Sequence, residues 1–416
     1  MTSTPFRKYL YPGRGYFRCA TDSRRRAVYL ALAMMLCVAA RGRAQIRTVS
    51  GRVLESVPVA ITATHVECAD GYRLPIDAFW SYDRRPADQA ADAAALLEFD
   101  FGVLYGSDVE VQDGVVTLSL GGRPVTLPLD ALRLVQVDRK IEAPGRESFL
   151  QASTTRGERD VLVASTPKGA VLAVEGEFLG MDTEQVHFFF KGQSRSLPRG
   201  RVTGIVRRAG GTPATGLYRV RFRDGSSVRS PDVTLRTDGM LELTLAGDTC
   251  SVRWDHVCSV KRQSGRVVLL VGLAPDRAVV DAGVGIRLPW RRNTTTMGGT
   301  MRLGGAPVVN GIATHGSTRL LYSVPPGQHG FVATVGLDDV LGARGDCRAL
   351  VRDGTGAALW EQRLVGGAAP VDIRLALDGV SAIDLVVQAG ENFDLGDHVN
   401  WVEARFTPGS VDGERE

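Results

Sequence analysis

The chain has 416 residues, of which 44% are hydrophobic and 23% are charged. This composition is typical of globular proteins and excludes a wholly disordered chain, and the length predicts more than one domain. The formal net charge is +4, but nine of the 50 Lys and Arg and only one of the 46 Asp and Glu lie within residues 1–44. The rest of the chain is slightly acidic, which argues against nucleic-acid binding.

Residues 1–44 have the features of a signal peptide. Three arginines at 24–26 precede the apolar run "AVYLALAMMLCVAA", and Gly42 and Ala44 are the small residues expected before cleavage at Gln45. The apolar run is shorter than the ~20 residues that span a bilayer, so a retained membrane anchor is the less favoured alternative. We therefore expect an exported protein, located in the periplasm, the cell envelope or outside the cell, with no membrane span in the mature chain.

Residues 45–94 are expected to form a lead-in strand segment followed by a helix. The stretch "VPVAITATHVECADGYRLPIDAFW" has strand character, and we find no copy of it elsewhere. The segment "PADQAADAAALLEF" at 86–99 predicts a helix, because proline is favoured in a first helical turn and alanine has the highest helix propensity. Most of the remaining sequence consists of short β-type runs separated by Gly, Asp and Asn, so the fold class is mainly all-β.

Three segments of the central region are copies of one pattern. Each begins with a glycine, followed by apolar residues five, ten and thirteen positions later, and each is preceded by a strand. The segments are "GRPVTLPLDALRLV" from Gly122, "GQSRSLPRGRVTGI" from Gly192 and "GDTCSVRWDHVCSV" from Gly247. A strand, a glycine turn, a strand, a short turn and a closing strand resemble the small barrels of the Sm-like and SH3-like families.

The repeats predict about three barrel units, at 95–150, 151–210 and 217–272, with a linker at 207–216. The aromatic and basic side chains that bind RNA are not repeated across the copies, so we expect spacers or protein-docking modules. Four cysteines follow the signal peptide, and their spacing matches no zinc motif. A bridge between Cys250 and Cys258 is the alternative to buried free thiols.

The C-terminal region contains several motifs in a fixed order. They are "GIATHGS" at 311–317, "FVATVGLDD" at 331–339, "RDG" at 352–354 and "DHVNW" at 397–401. Together they resemble the NPCBM family of carbohydrate-binding modules, which accompany some glycoside hydrolases, over residues 288–408. The resemblance implies a jelly-roll β-sandwich that binds sugars. The strand-like runs "FVATVGL" and "IDLVVQA" agree with a two-layer sandwich.

Sugar binding needs an aromatic surface for stacking and a few polar groups directed at hydroxyls. The C-terminal region offers both types of residue. The candidates for carbohydrate contact are His315, Asp338, Trp360, Asp397, His398, Asn400 and Trp401, with Tyr322, Phe393 and Asp339 as further aromatic and acidic candidates. Trp401 precedes the alternating "VEARF", which favours a core position over a ligand platform.

A metal site is a separate question, because no other cofactor is expected. Asp338, Asp339 and Asp397 are candidate ligands for a structural calcium ion, which prefers carboxylate oxygens. Members of the family commonly have an aspartate where this chain has Asn400. The missing charge weakens that site.

Catalytic motifs are absent from the sequence. It contains no G-x-S-x-G, H-E-x-x-H, P-loop or dinucleotide fingerprint, and a glycosidase would need two carboxylates across a cleft. We therefore expect a non-catalytic exported protein that binds a glycan or a cell-envelope polysaccharide. The alternatives are a cell-envelope assembly protein whose sandwich contacts other proteins and, less favoured, an accessory part of a glycoside hydrolase system.

Overall fold

The computed structural model describes residues 44–84, 95–137, 143–154, 157–208, 216–263, 265–281, 287–391 and 393–409. The predicted signal peptide, except for Ala44, lies outside these ranges, as do most of the predicted linker and residues 86–94 of the predicted helix. Within the described residues no helix is long and apolar enough to cross a membrane.

Residues 44–262 form four small units with one strand order, which we call units 1 to 4. In each unit the last strand pairs antiparallel with the first. The strands are, in unit 1, β1 Gln45–Thr48, β2 Val53–Leu54, β3 Pro58–Ile61, β4 His65–Cys68, β5 Arg73–Pro75 and β6 Phe79–Asp83; in unit 2, β7 Ala95–Phe99, β8 Gly102–Gly106, β9 Glu110–Gln112, β10 Val115–Leu120, β11 Arg123–Pro128 and β12 Leu132–Gln136; in unit 3, β13 Asp160–Ser165, β14 Val171–Met181, β15 Gln185–Phe190, β16 Gln193–Pro198 and β17 Val202–Val206; in unit 4, β18 Tyr218–Phe222, β19 Ser227–Ser230, β20 Val233–Leu235, β21 Met240–Leu245, β22 Asp248–Arg253 and β23 Val257–Arg262.

Units 2, 3 and 4 contain the three glycine turns identified in the sequence. Gly122, Gly192 and Gly247 all have positive φ and follow a residue that also has positive φ. Two such residues make a type I′ turn, whose twist matches that of a β-hairpin. A 3₁₀ turn then precedes each closing strand, at Leu129–Ala131, Arg199–Arg201 and Trp254–His256.

Unit 1 was not predicted, because residues 45–94 were expected to form only a lead-in strand segment and a helix. Its "LPIDA" at 74–78 repeats the "LPLDA" at 127–131 of unit 2. In both units the proline ends a strand and a one-turn segment leads into the closing strand; Phe79 N–H donates to Ile76 O at 3.3 Å there, as Leu132 N–H does to Leu129 O in unit 2. Gly71 precedes the leucine by three residues instead of five, so a search without gaps misses this copy.

The structure differs from the helix prediction at two places. Residues 95–99 form strand β7, because Ala95, Leu97 and Phe99 are buried in alternation, which is the period of a strand. The described helix is α1, Ala143–Thr154, which was not predicted. It packs Phe149 against Gly204, where even a methyl group would collide with the Phe149 ring. Its Leu150 is exposed, so the apolar residues show little helical period.

The units are joined by strand pairing into one sheet with a common core. The closing strands pair as β6 with β23 and as β12 with β17. Strand β8 of unit 2 also pairs with β19 of unit 4. One hydrophobic cluster contains residues from all four units, from Ile46 to Val260. The four units therefore form a single folded body and are not independent domains joined by linkers.

Residues 268–407 form a jelly-roll sandwich, so the predicted fold class is confirmed. One sheet has the order β26-β29-β36-β31-β34, with β24 paired to β36, and the other has the order β25-β30-β35-β32-β33. Since β24 belongs to the sandwich, the domain begins before the predicted residue 288. The strands are β24 Val268–Leu269, β25 Arg277–Val280, β26 Arg291–Arg292, β27 Arg302–Leu303, β28 Ala306–Pro307, β29 Gly311–Thr314, β30 Thr318–Ser323, β31 Gly330–Leu337, β32 Asp346–Asp353, β33 Ala358–Val365, β34 Val371–Ala376, β35 Ala382–Ala389 and β36 Val399–Thr407.

The sandwich packs against units 1 and 4 through a buried arginine. The Arg405 side chain on β36 donates to the carbonyl oxygens of Thr48 and Val49, each at 3.3 Å, and lies 4.6 Å from the centre of the Trp80 ring. Lys261 of unit 4 contacts the same ring and pairs with Glu403. The described cysteines, Cys68, Cys250, Cys258 and Cys347, are free thiols.

Gly102 provides a test of the joint between units 2 and 4. It has φ +154°, and a methyl group there would lie 2.1 Å from Ser227 O. We expect Gly102→Ala to lower the free energy of unfolding by about 2–3 kcal/mol, because the clash separates β8 from β19. Urea denaturation measures this change. Gly200→Ala is the control, since nothing lies within 4 Å of the place that its added methyl group would occupy; equal midpoints for the two variants would contradict the role of Gly102.

Candidate functional site

Four loops meet at one end of the sandwich, which we call the loop end. They are residues 293–301, 315–317, 338–345 and 393–398. Thr296 Oγ1 and His398 Nδ1 share a hydrogen bond of 2.7 Å, and Asp338 N–H donates to His398 O at 2.9 Å. The rings of His315 and His398 lie edge to face, with their centres 4.8 Å apart. His398 therefore connects three of the other loops.

The structure brings most of the predicted polar site residues to this end, but it buries them. His315 is 6% exposed, Asp338 2%, Asn400 1% and Asp397 0%. His398 is half-buried. Of these five residues, His398 thus has the most surface with which to contact a ligand, and the further candidate Asp339 is exposed.

Asn400 acts as a hydrogen-bond donor between two strand ends. Its Nδ2 donates to Asp338 Oδ2 at 2.7 Å and to Arg302 O at 3.3 Å. An ionised aspartate here would place a second negative charge against Asp338 and donate nothing. The asparagine that departs from the family pattern is therefore matched to its surroundings.

Asp338 and Asp339 use their carboxylates to fix turns. Asp338 Oδ1 accepts from Val340 N–H at 3.1 Å and caps the 3₁₀ turn Asp339–Leu341, while its Oδ2 accepts from Arg302 N–H at 3.3 Å. Asp339 accepts from Gly304 N–H at 3.0 Å and from Gly305 N–H at 2.7 Å. Both carboxylates are occupied by N–H donors, which are groups that compete with a cation.

The part of the chain that the structure describes contains no group of three or more His, Cys, Asp and Glu residues arranged to hold a metal ion. Asp338 and Asp339 bind separate N–H groups, and Asp397 Oδ1 accepts from Asp346 N–H at 3.2 Å. A structural calcium ion bound by Asp338, Asp339 and Asp397 thus stays a prediction.

Asp397 is the most perturbed acid of the loop end. It is fully buried, and its Oδ2 has no hydrogen-bond partner among the described residues. Burial raises its pKa to about 7 and outweighs the Asp346 N–H group, which lowers the pKa; the nearby carboxylates of Asp394 and Asp346 raise it as well. The carboxyl group thus holds a proton over much of the acidic range.

The two histidines are neutral at physiological pH. Burial lowers the pKa of both His315 and His398, and it outweighs the opposite effects of Asp394 on the first and of Asp338 on the second. A neutral imidazole has one donor and one acceptor nitrogen. The pair suits a ligand with hydroxyl groups better than an anion.

The aromatic candidates differ in exposure. Trp401 is 0% exposed and donates from Nε1 to Thr314 Oγ1 at 3.1 Å, so it belongs to the core, as its strand position favoured, and it has no free surface for a sugar. Tyr322 is 1% exposed. Trp360 is half-buried with its ring 6.5 Å from that of Trp401, and its contact with a sugar stays a prediction.

Phe393 is the aromatic residue that the loop end presents. Its side chain is 67% exposed, and its φ of +62° is unusual for a bulky residue. Three other exposed apolar residues lie on the same loops, and they were not predicted: Met297, Val340 and Leu395, which are 72%, 71% and 64% exposed. The sequence signal for them is an apolar residue between turn-forming residues, as in "FDLG".

Comparison with known proteins gives a family for this domain. Residues 272–407 match the family profile described as "NPCBM/NEW2 domain". No curated protein matches the chain.

Three solved structures are similar to parts of the chain. A CBM51 module from Clostridium perfringens GH95, in complex with methyl-galactose, is 21% identical with a TM-score of 0.31, over 34% of this chain and 99% of that one. The CBM51-2 and INT domains of Clostridium perfringens ZmpB, in complex with GlcNAc, are 20% identical with a TM-score of 0.31, over 40% and 36% of the two chains. Tandem CBM51 modules of Sp3GH98, a family 98 glycoside hydrolase from Streptococcus pneumoniae, are 13% identical with a TM-score of 0.30, over 74% and 86%. The match spans about a third of the ZmpB chain.

Asp397 makes the stability of the protein depend on pH. Its folded-state pKa of about 7 exceeds the ordinary value of 3.8, so its stabilising effect is full below about pH 4 and is lost as the pH rises to 7. We expect Asp397→Asn, which keeps the shape, to be more stable than the wild type at pH 8 by up to roughly 4 kcal/mol, and to differ little at pH 4. Urea denaturation at both pH values measures the difference in the free energy of unfolding between the two proteins. The effects of the histidines cancel in this difference, because both proteins contain them.

The matched control is Asp248→Asn, because Asp248 is exposed on β22. It should leave the pH dependence unchanged. A wild type and an Asp397→Asn variant that differ equally at pH 4 and pH 8 would contradict the raised pKa.

Proposed function

With residues 272–407 forming an NPCBM/NEW2 domain, we propose that this chain is an exported, non-catalytic protein that binds a glycan through the loop end of the sandwich. The observation that carries the proposal is the exposed apolar group of Met297, Val340, Phe393 and Leu395 on the loops that enclose His398. Large exposed apolar side chains on neighbouring loops of a folded domain mark a binding surface.

The chemistry of this surface suits a neutral sugar. The C–H faces of a pyranose stack on aromatic and aliphatic side chains, and Phe393 and Leu395 offer such surface next to each other in sequence. Hydroxyl groups need donors and acceptors of moderate strength, which the neutral His398 provides. The buried candidates His315, Asp338, Asp397 and Asn400 support the loops from below.

The state of the two best-placed carboxyl groups supports a non-catalytic role. Both oxygens of Asp338 accept hydrogen bonds from the protein. Asp397 has no exposed surface. A glycosidase needs two carboxyl groups that reach opposite sides of a bound sugar, and neither of these reaches the surface of the loop end.

The four-unit array would act as a rigid base that carries the sandwich. The contacts of Arg405, Lys261 and Glu403 support this role, because they fix the sandwich to units 1 and 4. The alternative of an assembly protein also uses the exposed apolar group, since such surfaces bind proteins as well. Binding to sugars separates the two.

The binding proposal is tested with the mature chain, residues 45–416, on a glycan array. We expect binding to at least one neutral glycan, and a loss of about tenfold or more in affinity, ~1.4 kcal/mol, for Phe393→Ala and for His398→Ala. Leu179→Ala is the control, because Leu179 is 41% exposed but lies in unit 3. A folded wild-type chain that binds no glycan would favour the assembly alternative.

Export is tested independently of binding. When the full chain is expressed in a bacterial host, mass spectrometry of the exported fraction should find an N-terminus near Gln45, because the apolar run and the small residues before it fit a cleavage site. Arg24, Arg25 and Arg26 replaced together by glutamate should retain the protein in the cytoplasm. An intact Met1 in a purely cytoplasmic wild-type protein would refute export.

A further inference from the structure

The sheet that joins the four units has two ends. From β2 the pairing runs through β1, β6, β23, β18 and β19 to β8, and then through β7, β12, β17 and β13 to β14. Strand β2 in unit 1 and the first half of β14 in unit 3 are therefore the edges of this continuous ladder. All pairs in it are antiparallel.

The edge at β14 has free backbone groups. Residues 171–176 pair with β13 on one side, and pairing with β15 begins only at Glu177. Thr166 N–H donates to Ala170 O at the hairpin end, so the alternation of an antiparallel ladder turns the N–H and C=O groups of Val171, Ala173 and Glu175 away from β13. Among the described residues, no strand occupies this side.

This edge has few of the features with which proteins protect open strands, since Glu175 is the only charged residue within 171–176. The run "VLAV" at 171–174 contains no charge and no proline, and Leu172 is 51% exposed. Isolated edges normally carry lysine, proline or a bulge to prevent pairing with another chain. The other end of the ladder differs, because β2 has only two residues and the preceding Gly51 packs against Val332 and Arg374 of the sandwich.

The array itself shows what pairs with such an edge. In units 2 and 4 the second strand of the first hairpin is β8 and β19, and these two equivalent strands pair with each other, Val103 with Ser227 and Gly102 with Val228. The equivalent segment of unit 3 is the first half of β14. We propose that it pairs in the same way with β14 of a second copy of this chain, so that the protein is a two-fold symmetric dimer with one continuous sheet.

The sequence of β14 suits pairing with itself. In an antiparallel arrangement centred on Ala173, Glu175 lies opposite Val171 of the second copy, and the two copies of Glu175 are separated by about 13 Å, four residues at ~3.3 Å each. No like charges are then directly opposed. Pairing of β14 with β2 of another copy would build an open filament, and the short, covered β2 disfavours it. The dimer is independent of whether the loop end binds a sugar.

The dimer is tested by light scattering of the mature chain after size-exclusion chromatography. The wild type should have twice the mass of the chain at micromolar concentrations. Leu172→Lys should be a monomer, because lysine on an open edge disfavours pairing with another strand, and Ala173→Pro should be a monomer, because it removes an outward N–H without breaking the ladder to β13. Leu179→Lys is the matched control: it lies on the same strand with 41% exposure, where β15 already pairs, and should remain a dimer.

A second measurement fixes the register. Residues that face each other across a two-fold axis in an antiparallel pair come close enough for a disulfide. Under oxidising conditions Ala173→Cys should form a covalent dimer, and Leu179→Cys should not exceed the wild-type background. A wild type that is monomeric at about 100 µM, where even weak interfaces form, overturns the proposal. So does a dimer that survives in both Leu172→Lys and Ala173→Pro, since its interface then lies elsewhere.

Discussion

The pairing of open strand edges determines how residues 44–262 fold. A barrel of five or six short strands leaves edge strands with unpaired N–H and C=O groups, and each such group must find a partner or water. The units satisfy these groups with one another, through β6 and β23, through β12 and β17, and through β8 and β19. Gly102 is required at the last of these joints, since any side chain would meet Ser227 O. If one unit unfolded alone, the strand edges and the apolar core that it shares with its neighbours would be exposed. We therefore expect the units to unfold together.

The need to give every buried polar group a partner also explains why the sandwich is fixed to the array. Arg405 is 3% exposed, and burial lowers its pKa to about 10, so it remains charged at neutral pH. A buried guanidinium group is costly unless its donors are used. Its partners lie in unit 1, as two carbonyl oxygens and the Trp80 ring, so separating the sandwich from the array would leave this charge without them. The array and the sandwich therefore move together.

The fold could be predicted from the sequence where a local signal was repeated. The three glycine turns occupy φ values that few other residues adopt, and the ordered C-terminal motifs end or begin strands of the jelly roll. Unit 1 was not predicted because its hairpin is two residues shorter, which shifts Gly71 relative to Leu74 while leaving the "LPIDA" turn intact. Helix α1 was not predicted because only one large side chain, Phe149, anchors it. Pairing between units depends on contacts between distant residues, which no local pattern records.

The candidate site was predicted in composition but not in exposure. The histidines and acids identified in the motifs do meet at the loop end, yet motif residues such as Asp338, Asn400 and Trp401 are those that the fold buries, because a motif that recurs in a family includes the residues that hold its loops. The exposed residues that could contact a ligand lie between these motif residues in the sequence. Phe393 is the example: it lies five residues before His398, in a turn that leaves its ring 67% exposed.

The buried network gives these exposed side chains a fixed position. Asn400 links Asp338 to the backbone of Arg302, and Asp339 holds the Gly304–Gly305 turn, so the loops are tied to the strand ends by hydrogen bonds that do not involve the surface. Binding a weakly held, well-hydrated ligand is favoured when the protein loses little conformational entropy on binding. In the function that we propose, the polar residues of the motifs would contribute to recognition by holding the loops before the ligand arrives, and Phe393, His398 and their exposed neighbours would make the contact.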